Sequence, residues 1–447
     1  MKIYLSIALL AWSSAADAET RGPQADVVRY TLALRPDIRA GTVAGVETVE
    51  FSAMEGATHL RFSANSLSIS SATIDGNPAD FAVTAEEVAV ALPTSIRAGR
   101  TSTLRIVFAG KPRRGLVTQP SAVYSSYFAC DWMFCPQDSP GDKALFDLDL
   151  FLPTGTASVA GGRRLADRPA ADGLTLHRWR AQRPYSPYLF GFVAGNLQIS
   201  QRGQGGTRFS YVNATGGGAD LDRLFAETPA IAAFFAAKAG MPLPHGHYTQ
   251  VLVGGQEAQE TASFSLIGKA ALDRDLGEPD TQWVVAHEMS HQWWGNLVTC
   301  AGWQDFWLNE GFATFMTAAW KQHRFGEAAY QGELDVARAR LKRAAALGYD
   351  KPLAWAGAYP SVAVRRAVQY SKGALFLDRL RAEMGDRAFW SGIRRYTRRF
   401  SGRTVRSADF ERAMAEASGH DLSAIFGQWV YGTAGTSDQG PVATDRR

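Results

Sequence analysis

From about residue 26 to residue 200, apolar and polar side chains alternate with a period of two. Val28, Tyr30, Leu32 and Leu34 form one such run, and Phe146, Leu148, Leu150 and Leu152 another, interleaved with Asp147 and Asp149. Successive strand residues point to opposite faces, so these runs predict strands with one buried face. Val46 to Phe51, Val88 to Leu92, Leu104 to Phe108 and Leu174 to Trp179 repeat the pattern, separated by Gly, Pro and Asp turn signals at sandwich-like intervals. The first half therefore reads as antiparallel β.

Around Gly203 to Gly218 the composition shifts. Gly205-Gly206 and Gly216-Gly217-Gly218 flank a single strand, Phe209 to Val212, and helical periodicity then takes over. Residues 219 to 239 carry Leu221, Leu224, Phe225, Ile231 and Phe234-Phe235 at helical spacing, and 328 to 346, 371 to 384 and 407 to 417 repeat it. The second half is mostly α, and the fold class is α+β. The divisions expected are a leader at 1–18, a β-domain at 19–205, a second domain at 206–436 and a polar tail at 437–447.

At 447 residues, 46% apolar and 20% charged, the chain has room for two large domains with sizeable cores, and disorder is excluded away from the ends. The net charge of +4 is spread without a Lys/Arg block, so a nucleic-acid partner is not expected. Lys2 precedes an apolar run to Trp12 and an Ala16-Asp17-Ala18 site, the pattern of a cleaved secretory signal. No other run approaches the ~18 apolar residues of a membrane helix. An exported protein, periplasmic or extracellular, with no integral membrane segment after cleavage is the expectation. In that setting Cys130 and Cys135 can bridge if their loop lets the Cα atoms approach within about 7 Å, a matter the sequence leaves open. Cys300 reads as a buried thiol.

The candidate chemistry lies at His287-Glu288-Met289-Ser290-His291, in a run free of Pro and Gly until Gly295. On a helix, positions i and i+4 share a face, so both imidazoles can reach one Zn²⁺ while Glu288 can reach a water beside it. A catalytic zinc takes a third protein ligand. Glu310, opening a second apolar helix after a turn through Gly302 and Asp305, is the candidate.

These residues carry a resemblance. HEMSHQWWGNLVT, the 18 residues between His291 and Glu310, and WLNEGFATF resemble the aminopeptidase N family of zinc peptidases, the gluzincins with a thermolysin-like catalytic domain. The resemblance extends to FCPQDSPGDKALFDLDLFLP (134–153), YLFGFVAGNL (188–197), YSKGALFL (370–377) and FGQWVYGTAGT (426–436), covering roughly residues 26 to 436. It implies one Zn²⁺ per chain held by His287, His291 and Glu310, Glu288 as general base and Tyr370 as oxyanion stabiliser. From the residues alone, Val368-Gln369-Tyr370 opens an ordinary amphipathic helix. The fold implied is an N-terminal antiparallel β-domain followed by a mainly helical thermolysin-like domain.

The chain departs from the family in three places. Where the family has a GxMEN segment whose Glu holds the substrate α-ammonium, this chain reads Gly254-Gly255-Gln256-Glu257-Ala258-Gln259-Glu260-Thr261. Glu260 aligns better with the strand at Phe264 to Ile267, whereas Glu257 keeps the Gly-Gly prefix. The substrate-facing Gln of the family's first domain has no counterpart in Tyr124 to Cys130. The sequence also stops just after WVYGTAGT, where many members continue into a helical domain that roofs the site, so a more open cleft is expected. The reading is a zinc aminopeptidase acting on peptides. Its alternatives are an endopeptidase, an epoxide hydrolase of the leukotriene-A hydrolase branch, or a zinc-containing peptide-binding protein without turnover, for which Glu288 and Tyr370 would have no use. His245, His247, His323 and His420 lack metal spacing, and Trp293, Trp294, Trp303 and Trp307 read as packing. Oligomeric state and side-chain preference are not legible.

Overall fold

The computed structural model describes residues 25–204, 206–277 and 283–432. The leader, its cleavage site after Ala18, residue 205, residue 436 and the tail 437–447 lie outside the described residues.

The alternating segments of the first half assemble into one large sheet. Its order runs Arg163–Arg164, Leu174–Arg180, Leu145–Pro153, Ala25–Asp37, Thr42–Ala53, Thr101–Gly110, Ser68–Ile74 and Asn77–Pro78, with Arg168–Pro169 also pairing Leu174–Arg180. The pairing is antiparallel except between Ala25–Asp37 and Leu145–Pro153, which run parallel with Tyr30 opposite Phe146 and Leu32 opposite Leu148. Alternation encodes faces and not direction, so the parallel pair is a correction that the sequence pattern could not supply. A second correction concerns Val28, which is 42% exposed while Val27 and Tyr30 are buried. A register shift between Val27 and Arg29 inserts one residue and moves Val28 to the outer face.

Smaller sheets close this domain, one of His59–Ser63, Glu87–Ala91 and Phe81–Val83 and one of Ala157–Ala160, Phe192–Gly195, Ala122–Ser125 and Leu116–Thr118. Tyr30, Leu34, Phe51, Phe108, Trp132, Phe134 and Phe190 pack in the core they enclose. Cys130 and Cys135 are bridged, with Cα atoms 4.9 Å apart. Cys300 is buried.

The second half opens with more β-structure than the periodicity suggested. A five-stranded mixed sheet has the order Gln198–Gln204, Thr207–Asn213, His247–Val253, Phe264–Gly268 and Ala258–Thr261. Helices Thr228–Ala239, Val284–Ser290, Trp307–Phe325, Glu327–Ala345, Gly373–Met384, Asp386–Arg399 and Ser407–Ser418 follow. The single helix expected over 219–239 is broken into Leu221–Leu224 and Thr228–Ala239. Pro229 has no N–H to continue a helix but fits a first turn, so the chain restarts there. Among the described residues no helix is long and apolar enough to cross a membrane.

Helix Trp307–Phe325 is the centre of this half, buried on all sides from Trp307 to Lys321. It crosses the turn into Gly373–Met384 at a contact of two glycines. A Cβ built on Gly311 would lie 2.8 Å from Gly373 Cα, so no larger residue fits at this crossing. That close approach brings Glu310, one residue before Gly311, near Tyr370, three residues before Gly373.

Candidate active site

The helix Val284–Ser290 stops one residue short of His291, but His291 keeps helical dihedrals (φ −57°, ψ −25°), so the i, i+4 geometry survives. His287 Nε2 and His291 Nε2 lie 3.3 Å apart, and Glu310 Oε2 lies 3.2 Å from the first and 3.5 Å from the second. All three residues are buried. His291 Nδ1 is 3.1 Å from the carbonyl of Trp294, which only accepts, so Nδ1 carries the proton and Nε2 presents its lone pair to the cluster. The His287 ring is stacked on Trp283, with centroids 4.0 Å apart.

Two imidazoles and a carboxylate converge, then, with lone pairs aimed at one point. Two imidazoles and one carboxylate suit zinc and leave a coordination position for a reactant. Without a cation the cluster draws in a proton instead. Burial works against the charged form of His291, yet Glu310 and Glu260 push its pKa up to about 10. Burial holds His287 down to about 4, and the two histidines hold Glu310 ionised against its own burial. A divalent ion would replace that proton.

Glu260, Glu288 and His291 form a second convergent group, their donor atoms within 4.8 Å of one another. Since His291 belongs to both groups, the carboxylates of Glu260 and Glu288 border the same ion site. Glu288 is buried, and its Oε2 has no hydrogen-bond partner among the described residues. Burial, opposed by His291 and helped by Glu260 and Glu310, raises its pKa well above the usual carboxyl value. Burial likewise lifts Glu260 to about 7, with His291 opposing and Glu310 adding to the rise.

Strand Ala258–Thr261 holds Glu260 in place. It pairs with Phe264–Gly268, Glu260 opposite Ser265, and the tight connection turns at Ser263 with φ of 69°. Gln292, the residue after His291, locks strand to metal helix: its Oε1 accepts the Ser263 N–H at 3.0 Å and its Nε2 donates to the Thr261 carbonyl at 3.1 Å. Asn296 Nδ2 donates to the same carbonyl at 3.1 Å. Glu257 stands one residue before the strand and is not drawn into the cluster. Its Oε2 accepts from Tyr124 Oη and Ser126 Oγ, both at 3.2 Å.

Tyr370 lies on a π-helical turn, Arg366–Lys372, in place of the opening of an ordinary helix. Such insertions recur at functional sites because one extra residue re-aims a side chain within a helix. Its ring is parallel to that of His287, with centroids 6.1 Å apart. Burial, then Glu310, raises the phenol's pKa well above 10, so it remains a donor.

Positioning groups without a motif also come into view. Lys143 reaches from the β-domain to donate to the carbonyls of Asn296 (3.1 Å) and Leu297 (2.8 Å), and burial pushes its pKa down to about 7. Tyr188 Oη accepts from Asn309 Nδ2 at 3.0 Å, and Asn309 Oδ1 accepts the Cys300 N–H at 3.1 Å. Asn309 adjoins Glu310, so the β-domain braces the connection between His291 and Glu310 at two points. The sequence signal for these groups is their place in the resembling stretches: Lys143 in 134–153, Tyr188 in 188–197 and Asn309 in WLNEGFATF.

Residues 261–429 match the peptidase family M1 domain, and residues 27–189 match the peptidase M1 N-terminal domain. The chain belongs to peptidase family M1. It is 26% identical over 427 residues to probable aminopeptidase 1 of Saccharolobus solfataricus, covering 91% of this chain and 53% of that protein. Puromycin-sensitive aminopeptidase of Caenorhabditis elegans is 25% identical over 91% of this chain and 46% of its own length. The M1 chain thus spans about half the length of the curated relatives it matches. It is also similar to the crystal structure of an M1 zinc metallopeptidase variant from Deinococcus radiodurans bound to a Tyr-Ser-Ala substrate. There the TM-score is 0.78 at 25% identity, over 91% of this chain and 94% of that one. Yeast LTA4 hydrolase shares the fold, with a TM-score of 0.77 at 20% identity over 91% of this chain and 68% of that one. The family implies one catalytic zinc, and the His287, His291 and Glu310 donor set fits it.

Proposed function

We propose that this M1 chain is a zinc-dependent aminopeptidase that removes residues from the free N-termini of peptides. The observation that carries the reading is the convergence of Glu260 and Glu288 on the histidine and carboxylate cluster. A buried acid beside a cation site has use for a substrate ammonium, and a second beside it has use for a proton.

When bound by His287, His291 and Glu310, zinc supplies Lewis-acid polarisation of the scissile carbonyl and a more acidic water. Glu288 takes the proton of the attacking water and hands it to the leaving amine. Its unpartnered oxygen is free to receive that proton. Tyr370 keeps its phenolic proton and donates to the oxygen on which charge develops. Glu260 pairs with the α-ammonium, which returns the carboxylate to its charged form and sets the cleavage position one residue from the terminus. Export is part of the proposal, supported by the apolar leader and the Cys130–Cys135 bridge, which suits an oxidising compartment.

The test is a panel of aminoacyl anilides and N-acetylated peptides, assayed with and without a chelator. Chelator-sensitive cleavage confined to free-amino substrates is expected. Internal cleavage of blocked peptides at equal rates would replace the aminopeptidase reading with the endopeptidase one.

A further inference from the structure

Charges of opposite sign stand on the two sides of the histidine pair. Glu260 stands with Glu288 and His291 at one. At the other, Arg366 opens the π-helical turn that bears Tyr370. In a turn wound with i to i+5 hydrogen bonds, residues four apart share a face, so Arg366 follows Tyr370 toward the site. Its guanidinium carbon is 5.4 Å from the centroid of the Tyr370 ring and 5.9 Å from that of Trp283, the indole stacked on His287. Glu260 thus lies beside His291, and Arg366 lies beside the Trp283 ring that stacks on His287.

Arg366 is exposed, and among the described residues no carboxylate forms an ion pair with it. Two aromatic rings flank its guanidinium, and an exposed arginine held in this way can chelate a carboxylate through its N–H fork. Helix Glu327–Ala345 adds further positive charge. Arg340, half-buried there, has its pKa lowered by burial and then by Arg366, with Glu333 opposing and Arg343 adding to the fall. The nearest acid on that helix, Glu333, is already paired with Lys321 at 2.6 Å. Like charges gathered beside the site favour an anionic ligand.

We propose that Arg366 binds a carboxylate on the leaving side of the scissile bond, so that the enzyme selects short peptides, dipeptides and tripeptides, whose free C-terminus falls there. This rests on the aminopeptidase reading and adds a substrate class to it: zwitterions whose ammonium meets Glu260 while their carboxylate meets Arg366. The same chemistry is offered by an acidic side chain on the residue after the scissile bond, and the test separates the two.

Zinc-loaded full-length protein is assayed on Ala-Ala, Ala-Ala-amide, Ala-Glu-amide and alanine anilide at low ionic strength. The expected kcat/KM for Ala-Ala exceeds that for Ala-Ala-amide by about tenfold, mostly through KM, as one exposed charge-assisted contact gives. In Arg366→Gln that ratio falls to within about twofold of one, Arg366→Lys lies between, and added salt shrinks the wild-type preference. Preference for Ala-Glu-amide over Ala-Ala would overturn the short-peptide class in favour of acidic side-chain selection. A wild-type ratio near one, or a ratio that Arg366→Gln leaves intact, sinks the assignment of Arg366. Alanine anilide separates the two layers of the argument. If it is hydrolysed while the ratio stays near one, Arg366 alone was misassigned, and if only N-acetylated peptides are cleaved, the aminopeptidase reading falls and takes this one with it.

Discussion

The two halves of the molecule bury ionisable groups in opposite ways. In the β-domain Glu47 is alone. One of its oxygens accepts the Phe134 N–H at 2.8 Å, inside the Cys130–Cys135 loop, and the other has no partner. Tyr30 Oη and Trp132 Nε1, in the same core, are also without partners. Burial, only partly offset by that one hydrogen bond, pushes the Glu47 carboxyl up to about 8, so it stays neutral at moderate pH. In the catalytic half five ionisable groups are buried together, and they answer by sharing charge: the two histidines hold Glu310 ionised against its own burial. Burial of an acid is thus no mark of a site by itself. A lone buried acid shifts its pKa and stays neutral, whereas convergent acids and imidazoles leave a place for a cation.

The comparison breaks most visibly at the metal. Glu310→Ala should abolish stoichiometric zinc and with it activity, because two histidines alone leave the ion a ligand short. Metal analysis of dialysed wild type and variant decides this, and unchanged zinc affinity in the variant would remove Glu310 from the ligand set. Next in size, Glu288→Gln should keep zinc and fold while turnover drops about 10²-fold to 10⁴-fold, the usual range for loss of a general base. Activity within tenfold of wild type would point to a different base.

Glu260→Ala should lower kcat/KM for free-amino substrates by roughly one to two factors of ten, since a charge-assisted contact in a partly desolvated cleft contributes about 1.5 to 3 kcal/mol. Glu257→Ala, removing a carboxylate held by Tyr124 and Ser126 outside the cluster, should do much less. Equal losses in the two variants would erase the distinction between them.

An effect on stability instead of turnover sharpens the other side of the comparison. Below pH 4.5, the ordinary carboxyl value, Glu47 is protonated whether the chain is folded or not. Between 4.5 and about 8 the folded state keeps the proton that the unfolded state has lost, so stability falls as pH rises, and above about 8 the loss is complete. Glu47→Gln, which mimics the neutral acid, should therefore gain stability over wild type progressively across that window, by on the order of a few kcal/mol at its top. Urea unfolding at pH 5 and pH 8.5 measures it, and a difference that does not change with pH would show that Glu47 ionises freely in the fold.

What the chain wrote locally could be read locally. The shared face of His287 and His291 follows from the helical period, and the β-character of the first half from period two, because both patterns reside in neighbouring residues. The spacing to Glu310 was legible through resemblance. Tertiary packing decided the remainder. Glu260 and Glu257 are three residues apart, and which one meets His291 depends on the register of Ala258–Thr261 against Phe264–Gly268 and on the Gln292 bonds that dock the strand. Tyr370 and Arg366 come to the side of His287 through a π-turn and a glycine crossing between Gly311 and Gly373, neither of which leaves a trace in hydrophobic periodicity. The same holds for the outward turn of Val28 at a bulge and the parallel pairing of Ala25–Asp37 with Leu145–Pro153. Periodicity states which face of an element is buried. It carries no information about which element arrives at that face, in what direction or with how many residues inserted, and those are the choices by which separate segments become one site.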